Sequence, residues 1–126
     1  MTEAAFALSA FGDEIALDLS EQLAVLNNLN IHYLDLRSAW GKGLLQMVDE
    51  DVARIRDLCT EYDGQVACLG SPIGKSPLEH PIEQELANLA RVCEIGAALD
   101  CSRVRIFSFY PPDSETSIDY DRCVDT

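Results

Sequence analysis

Apolar positions along this chain switch between two periods. Over residues 19–26, Leu19, Leu23 and Leu26 recur at helical spacing. Val52, Ile55, Cys59 and Tyr62 do the same further on, and Ile82, Leu86, Leu89, Cys93 and Ala97 supply a third stripe. Each stripe gives way at once to a short apolar run with period two. These runs are residues 31–37, 65–71 and 103–109, and a related run, 6–11, opens the chain. Asp18, with Glu21 three places on, marks the start of the first helix. Asp49, Glu50 and Asp51 crowd the start of the second, where the helix dipole favours negative charge. Pro81 fits the first turn of the third. Asn30, Asp63-Gly64 and Leu99-Asp100 stand at the three stops, and Asn or Gly tolerates the left-handed conformation that ends a helix. After the last strand, Pro111-Pro112 is a stop, 113–119 a polar loop, and 120–126 the start of a further helix.

Strand and helix in alternation, with a repeat of about 30 residues, predict an α/β fold of parallel βαβ units. A closed (β/α)8 barrel takes about 250 residues. The 126 residues are therefore expected to form one domain, 1–126, equivalent to the first half of a TIM (β/α)8 barrel and truncated after the fourth strand. In the strand at 31–37, Leu34 and Leu36 share the parity that packs under helices, while Tyr33, Asp35 and Arg37 face the other way. Arg105, Phe107 and Phe109 share a parity in the last strand.

Composition narrows the partners. Nine Lys and Arg stand against 22 Asp and Glu, a formal charge of -13 with pI ≈ 4.2. A field of that sign repels phosphate backbones and anionic lipid, so neither nucleic acid nor membrane is expected as a partner. An anionic substrate would need a local basic pocket. The five cysteines, Cys59, Cys68, Cys93, Cys101 and Cys123, form no CxxC and read as reduced, mostly buried thiols. With only His32 and His80 available, no zinc cluster is expected, and no metal ligand is assigned. No basic segment leads into an apolar run at the N-terminus, and no apolar run reaches the ~20 residues of a membrane span, so a cytoplasmic setting is expected.

The chemistry gathers after the strands. Charged and aromatic residues crowd 11–14, 37–42, 70–75 and 107–110, whereas the helix-to-strand turns are short and bland. In a barrel, that asymmetry marks the functional mouth. The run Gly70-Ser71-Pro72-Ile73-Gly74-Lys75-Ser76 is one residue short of a P-loop, and Pro77 follows where the helix should begin. Lys75 then either reaches an anionic or hydroxylated ligand or is simply solvated. Arg37 and Arg105 contact either a ligand oxygen or an internal carboxylate such as Asp35. Glu14 is a surface charge, a cap or an acceptor for a polyol. Trp40, the single tryptophan, either covers the face of a sugar ring or packs its own loop. His32 reads as structural and His80 as solvated. No catalytic base or nucleophile set emerges.

Taken in order, Phe11-Gly12-Asp13-Glu14-Ile15, Tyr33-Leu34-Asp35-Leu36-Arg37, Trp40-Gly41-Lys42, Gly70-Ser71-Pro72-Ile73-Gly74-Lys75 and Arg105-Ile106-Phe107-Ser108-Phe109 resemble the sugar phosphate isomerase/epimerase family of xylose isomerase-like barrels. The resemblance covers nearly the whole chain up to Tyr110. It implies a divalent cation (Mn, Mg or Zn), a sugar or polyol substrate, and proton transfer beside a carbonyl. The resemblance places the metal ligands and catalytic glutamates in later strands of such barrels. It transfers only Glu14, Arg37, Trp40, Lys75 and Arg105, as substrate contacts, and Asp35 stands where relatives often carry Glu. On this reading the 126 residues alone are inactive. The alternatives are a non-catalytic half-barrel that self-associates as a homo-oligomer, and an endonuclease IV-like phosphodiesterase, which the acidic balance disfavours.

Overall fold

The computed structural model describes residues 6–110. Their order is β1 (Ser9–Phe11), a 3-10 turn Gly12–Glu14, α1 (Leu19–Asn28), β2 (Tyr33–Leu36), and a small hairpin of β3 (Ser38–Ala39) and β4 (Lys42–Gly43). A second 3-10 turn, Leu44–Gln46, follows, then α2 (Asp49–Glu61), β5 (Gln65–Gly70), α3 (Ile82–Ala98) and β6 (Val104–Arg105). The main sheet has the order β1-β2-β5-β6, and every neighbouring pair is parallel. Spatial order follows chain order, with no reversal.

Each helix ends the same way. Asn30, Asp63 and Asp100 have φ of 58°, 52° and 55°. The next N–H in each case closes onto a carbonyl five residues back: Ile31 to Leu26 at 2.9 Å, Gly64 to Cys59 at 2.7 Å, Cys101 to Gly96 at 2.8 Å. These are Schellman closures. They satisfy terminal carbonyls and turn the chain straight into the next strand. At the other end of α1, the Asp18 carboxylate accepts the Glu21 N–H at 3.3 Å, as the sequence predicts. At α2, the Asp51 carboxylate accepts the Val48 N–H, and Pro81 caps α3 rather than occupying its first turn.

The core lies on one face of the sheet. Leu34, Leu36, Val66 and Leu69 meet Leu19, Leu23 and Leu26 of α1, Val52, Ile55 and Cys59 of α2, and Val92 and Ile95 of α3 in a single buried cluster. Val66 and Leu69 both point into it although three residues apart. A bulge between Leu34 and Asp35 of β2 and their partners in β5 absorbs Ala67 and resets the register. The other face carries Ser9, Phe11, Tyr33, Asp35, Cys68 and Arg105, none of them buried, and no helix among the described residues covers it. Parallel sheets are ordinarily covered on both faces, so this exposed polar face is the unusual feature of the fold.

Several expectations need correction. Of the stripe Ile82, Leu86, Leu89, Cys93, Ala97, only Leu89 packs against the core, so the stripe as a whole is not the inward face of α3. Leu86 is 57% exposed and Cys93 is exposed, while Glu85, Val92, Ile95 and Gly96 are buried. Apolar residues occupy both sides of this helix, so periodicity alone does not choose between them. The last strand is only Val104–Arg105, and the first begins at Ser9. The expected stop, loop and helix at 111–126, and Cys123 with them, lie outside the described residues. No helix among the described residues is long and apolar enough to cross a membrane.

The revised face of α3 gives a direct comparison. Ile95→Ala should cost about 2–5 kcal/mol, because Ile95 is 1% exposed at the centre of the cluster. Cys93→Ser should stay within about 0.5 kcal/mol. Urea denaturation of the two variants checks the assignment, and the reverse ranking would restore the stripe read from the sequence.

Candidate functional site

A cleft of about 500 Å³ opens at the C-terminal ends of β2, β5 and β6. Its charged lining is Asp13, Arg37, Lys75 and Arg105, with Ser38, Gly70, Ser71, Phe107 and the turn Leu44–Gln46 completing the wall. Three of the five residues singled out from the sequence thus converge. The other two do not line it. Glu14 is an exposed side chain 3.7 Å from the Arg37 guanidinium. Trp40 turns away: its indole N–H donates to the Asp18 carboxylate at 3.1 Å, and Arg54 lies over its ring at 4.6 Å. Trp40 and Gly41, with φ of 55° and 75°, form the two-residue turn of the β3–β4 hairpin. The tryptophan clamps that hairpin to the start of α1.

Arg37 is held by a residue that sequence reasoning passed over. Its Nε and Nη2 donate to the two carboxylate oxygens of Asp13 at 2.7 Å each, and the Ser38 hydroxyl donates to the same carboxylate at 2.9 Å. A bidentate arginine–carboxylate pair is both strong and directional. The Arg37 guanidinium, helped by Ser38, holds the Asp13 carboxyl below the usual 3.8. The guanidinium also sits 4.6 Å from the centre of the Phe11 ring.

Arg105 is stationed differently. Its Nη2 donates to the Ser71 carbonyl at 3.2 Å, and its guanidinium lies 4.3 Å from the Phe107 ring centre and 5.9 Å from that of Phe11. The internal pairing with Asp35 does not form; Asp35 instead accepts from the Ser9 hydroxyl at 3.0 Å. Gly70 lies between the two arginines. A Cβ there would stand 3.1 Å from Phe11, 3.3 Å from the Arg37 Cβ and 3.5 Å from the Arg105 Nη2, so glycine lets both arginines reach one cleft.

Lys75 rides on a loop stitched to the segment after β6. The Phe107 N–H donates to the Ile73 carbonyl at 2.7 Å, Phe109 to Gly74 at 2.8 Å, and Tyr110 to Ser76 at 2.8 Å. Gly74 has φ of 78°, and any Cβ there would collide with the Phe107 carbonyl. Its N–H donates to Glu85 at 2.8 Å, and His80 lies 3.3 Å from the other oxygen of that carboxylate. His80 is therefore paired rather than solvated. Glu85, 6% exposed on the first turn of α3, is a buried anchor that reads in the sequence as one more surface acid. His32 is structural as expected, its Nδ1 lying 3.1 Å from the Asp63 carbonyl oxygen.

None of the four described thiols lines the cleft. Cys59 and Cys101 are buried, Cys68 is half-buried and Cys93 is exposed. Burial pushes the Cys59 thiol up to about 11, which keeps it protonated and unreactive. The residues present do not fit a metal centre. Asp13, the one carboxylate of the cleft, spends both oxygens on Arg37 and Ser38. No group of three or more His, Cys, Asp or Glu converges among the described residues. Comparison with family models and with curated proteins finds no match to this chain.

Two outcomes test this geometry. Asp13 is depressed in the folded chain, so its contribution is complete above 3.8 and disappears as pH falls through the lower folded value. Asp13→Asn should lose about 1–2 kcal/mol at neutral pH, the half-exposed arginine trimming the value. In chemical denaturation the gap to the parent chain should narrow below pH 3.8; a gap constant with pH would break the ion-pair account. Gly74→Ala should cost roughly 2–5 kcal/mol from left-handed strain and overpacking together, read as a fall in the urea midpoint.

Proposed function

We propose that this chain is the N-terminal part of a metal-dependent sugar (phosphate) isomerase or epimerase with a xylose isomerase-like (β/α)8 barrel. One observation carries the reading: Arg37, Lys75 and Arg105, drawn from the ends of three different parallel strands or the loops that follow them, face a single cleft. Barrel enzymes assemble their sites from successive strand ends at one mouth. The strand order supports the same architecture, because a barrel wall is built in chain order.

Within that reading, the described residues bind and orient. Arg37, fixed by Asp13, presents its remaining donor edge to ligand hydroxyls. Lys75 and Arg105 hold a polar group at the β5–β6 side, and Phe107 between them offers an apolar surface to the carbon skeleton. Fixing a ketose or aldose in one pose is a large part of such catalysis, since misplacement by about 1 Å can cost about 100-fold. The cation implied by the resemblance supplies Lewis acidity when bound, and its ligands are to be sought outside the residues described.

The decisive measurement uses the natural gene product that contains this chain. Incubated in D2O with Mn, Mg or Zn and a panel of aldoses and ketoses, it should wash deuterium into the carbon beside the carbonyl. Arg37→Ala should lower kcat/KM by about 10–100-fold. Absence of exchange with every sugar, in every metal, would defeat the assignment.

A further inference from the structure

The three cations of the cleft are not equivalent. Arg37 already faces both oxygens of Asp13, with Glu14 nearby, so its charge is matched within the protein. Neither Lys75 nor Arg105 lies within 4 Å of any carboxylate among the described residues, although the chain carries 22 acids against nine Lys and Arg. Lys42, Arg37 and Arg91 have such a partner, whereas Arg54, Arg56 and Arg103, like Lys75 and Arg105, do not. What sets Lys75 and Arg105 apart from Arg54, Arg56 and Arg103 is that both line one cleft.

Their arrangement also points inward. The Lys75 ammonium lies 5.7 Å, and the Arg105 guanidinium 4.3 Å, from the centre of the same Phe107 ring. The Arg105 Nε is shielded from solvent and has no hydrogen-bond partner, and a buried donor left unpaired is costly. The loop beneath cannot supply backbone donors. The N–H groups of Ser71, Ile73, Gly74 and Lys75 are spent on Leu69, the Ser71 hydroxyl, Glu85 and Pro72 respectively, and Pro72 has none. Any charge recognition at this end of the cleft therefore falls to the two side chains.

We infer that Lys75 and Arg105 form an oxyanion subsite, and that the natural ligand carries a phosphate or carboxylate group rather than being a neutral polyol. The inference rests on the reading of this cleft as the ligand site and specifies which end of the ligand sits where. The negative field of the whole chain opposes entry of such a ligand. The local excess of positive charge, three cations against one carboxylate in the lining, offsets it at short range. Binding should therefore be strongly sensitive to ionic strength.

Titration of the 126-residue chain with inorganic phosphate, and separately with glycolate, followed by calorimetry or amide chemical shifts, tests this. At least one of the two anions should bind, and the tighter one names the source of the oxyanion. Lys75→Gln should weaken that anion about tenfold, the worth of one charge-assisted hydrogen bond. Lys42→Gln, which alters a cation paired with Asp51 outside the cleft, should change nothing. Arg105→Gln should match Lys75→Gln if it folds; Lys75 is exposed on its loop, so its variant decides the matter in any case. Raising ionic strength from about 0.01 to 0.15 M should weaken binding severalfold. Failure of both anions to bind, or binding indifferent to Lys75→Gln, overturns the subsite. The two readings fail separately. Anion binding at Lys75 without deuterium exchange in the gene product would sink the reaction and leave the subsite. Exchange confined to neutral sugars and unmoved by Lys75→Gln would sink the subsite and leave the reaction.

Discussion

A left-handed residue just past each of α1, α2 and α3 is the constraint on which the described fold depends. Asn30, Asp63 and Asp100 each take positive φ and let the following N–H close back onto the last turn. A helix stopped in this way delivers the chain into the next strand within three to five residues. Three such stops in succession bring β2, β5 and β6 alongside one another in one direction. The strand C-termini then lie in a row. Asx residues suit the position because a short polar side chain lowers the steric cost of that conformation. The repeat is thus written in three residues, and the site at the other end of the sheet follows from it.

At that end the charge is unevenly matched. Asp13 takes up Arg37 in a two-pronged contact and fixes its orientation. Phe11 lies beneath both arginines, 4.6 Å and 5.9 Å from their guanidinium carbons, and its ring face softens their mutual repulsion. Gly70 leaves the space between them open. On the other side of the cleft, the buried Glu85 ties down Gly74 and through it the loop that carries Lys75. One carboxylate orients a cation directly and the other fixes the backbone beside one. Neither is itself a ligand contact, and both decide where the contacts stand.

Much of this was legible in the sequence because it is local. Asp18 as a cap, the apolar stripe Leu19, Leu23, Leu26, the three Asx stops, and the parity of Leu34 and Leu36 each depend on neighbours within a turn or a strand. The convergence of Arg37, Lys75 and Arg105 was legible as well, since strand ends in a βαβ repeat share a side. What escaped depends on distant partners. The bulge at Ala67 is a property of the β2–β5 pairing, invisible in either strand alone. The face of α3 was misjudged because Ile82, Leu86, Cys93 and Ala97 make as good a stripe as Val92, Ile95 and Leu99. What separates the two is the packing of Val92, Ile95 and Leu99 into the core cluster. For Trp40 the sequence left open a ring platform and loop packing, and the choice was made by Asp18, 22 positions back, which accepts its indole N–H. Asp13 was passed over as one acid among 22.

The sheet divides its labour by parity, and the division explains why chemistry and stability can be perturbed separately. Leu34, Leu36, Val66 and Leu69 face the helices and are the sheet's part of the buried core. Phe11, Asp35, Cys68 and Arg105 face the other way and remain partly wet. A one-residue slip would exchange the two sets. The bulge at Ala67 guards against it: without the extra residue, Val66 and Leu69 could not both lie inward, and Cys68 could not stand opposite Asp35. Register, set by the core, therefore also decides which charges reach the mouth. Arg105 depends on this most, because it is paired with Gly70 through β5, the strand that carries the bulge. The irregularity in the sheet and the position of an unmatched cation are two consequences of one constraint.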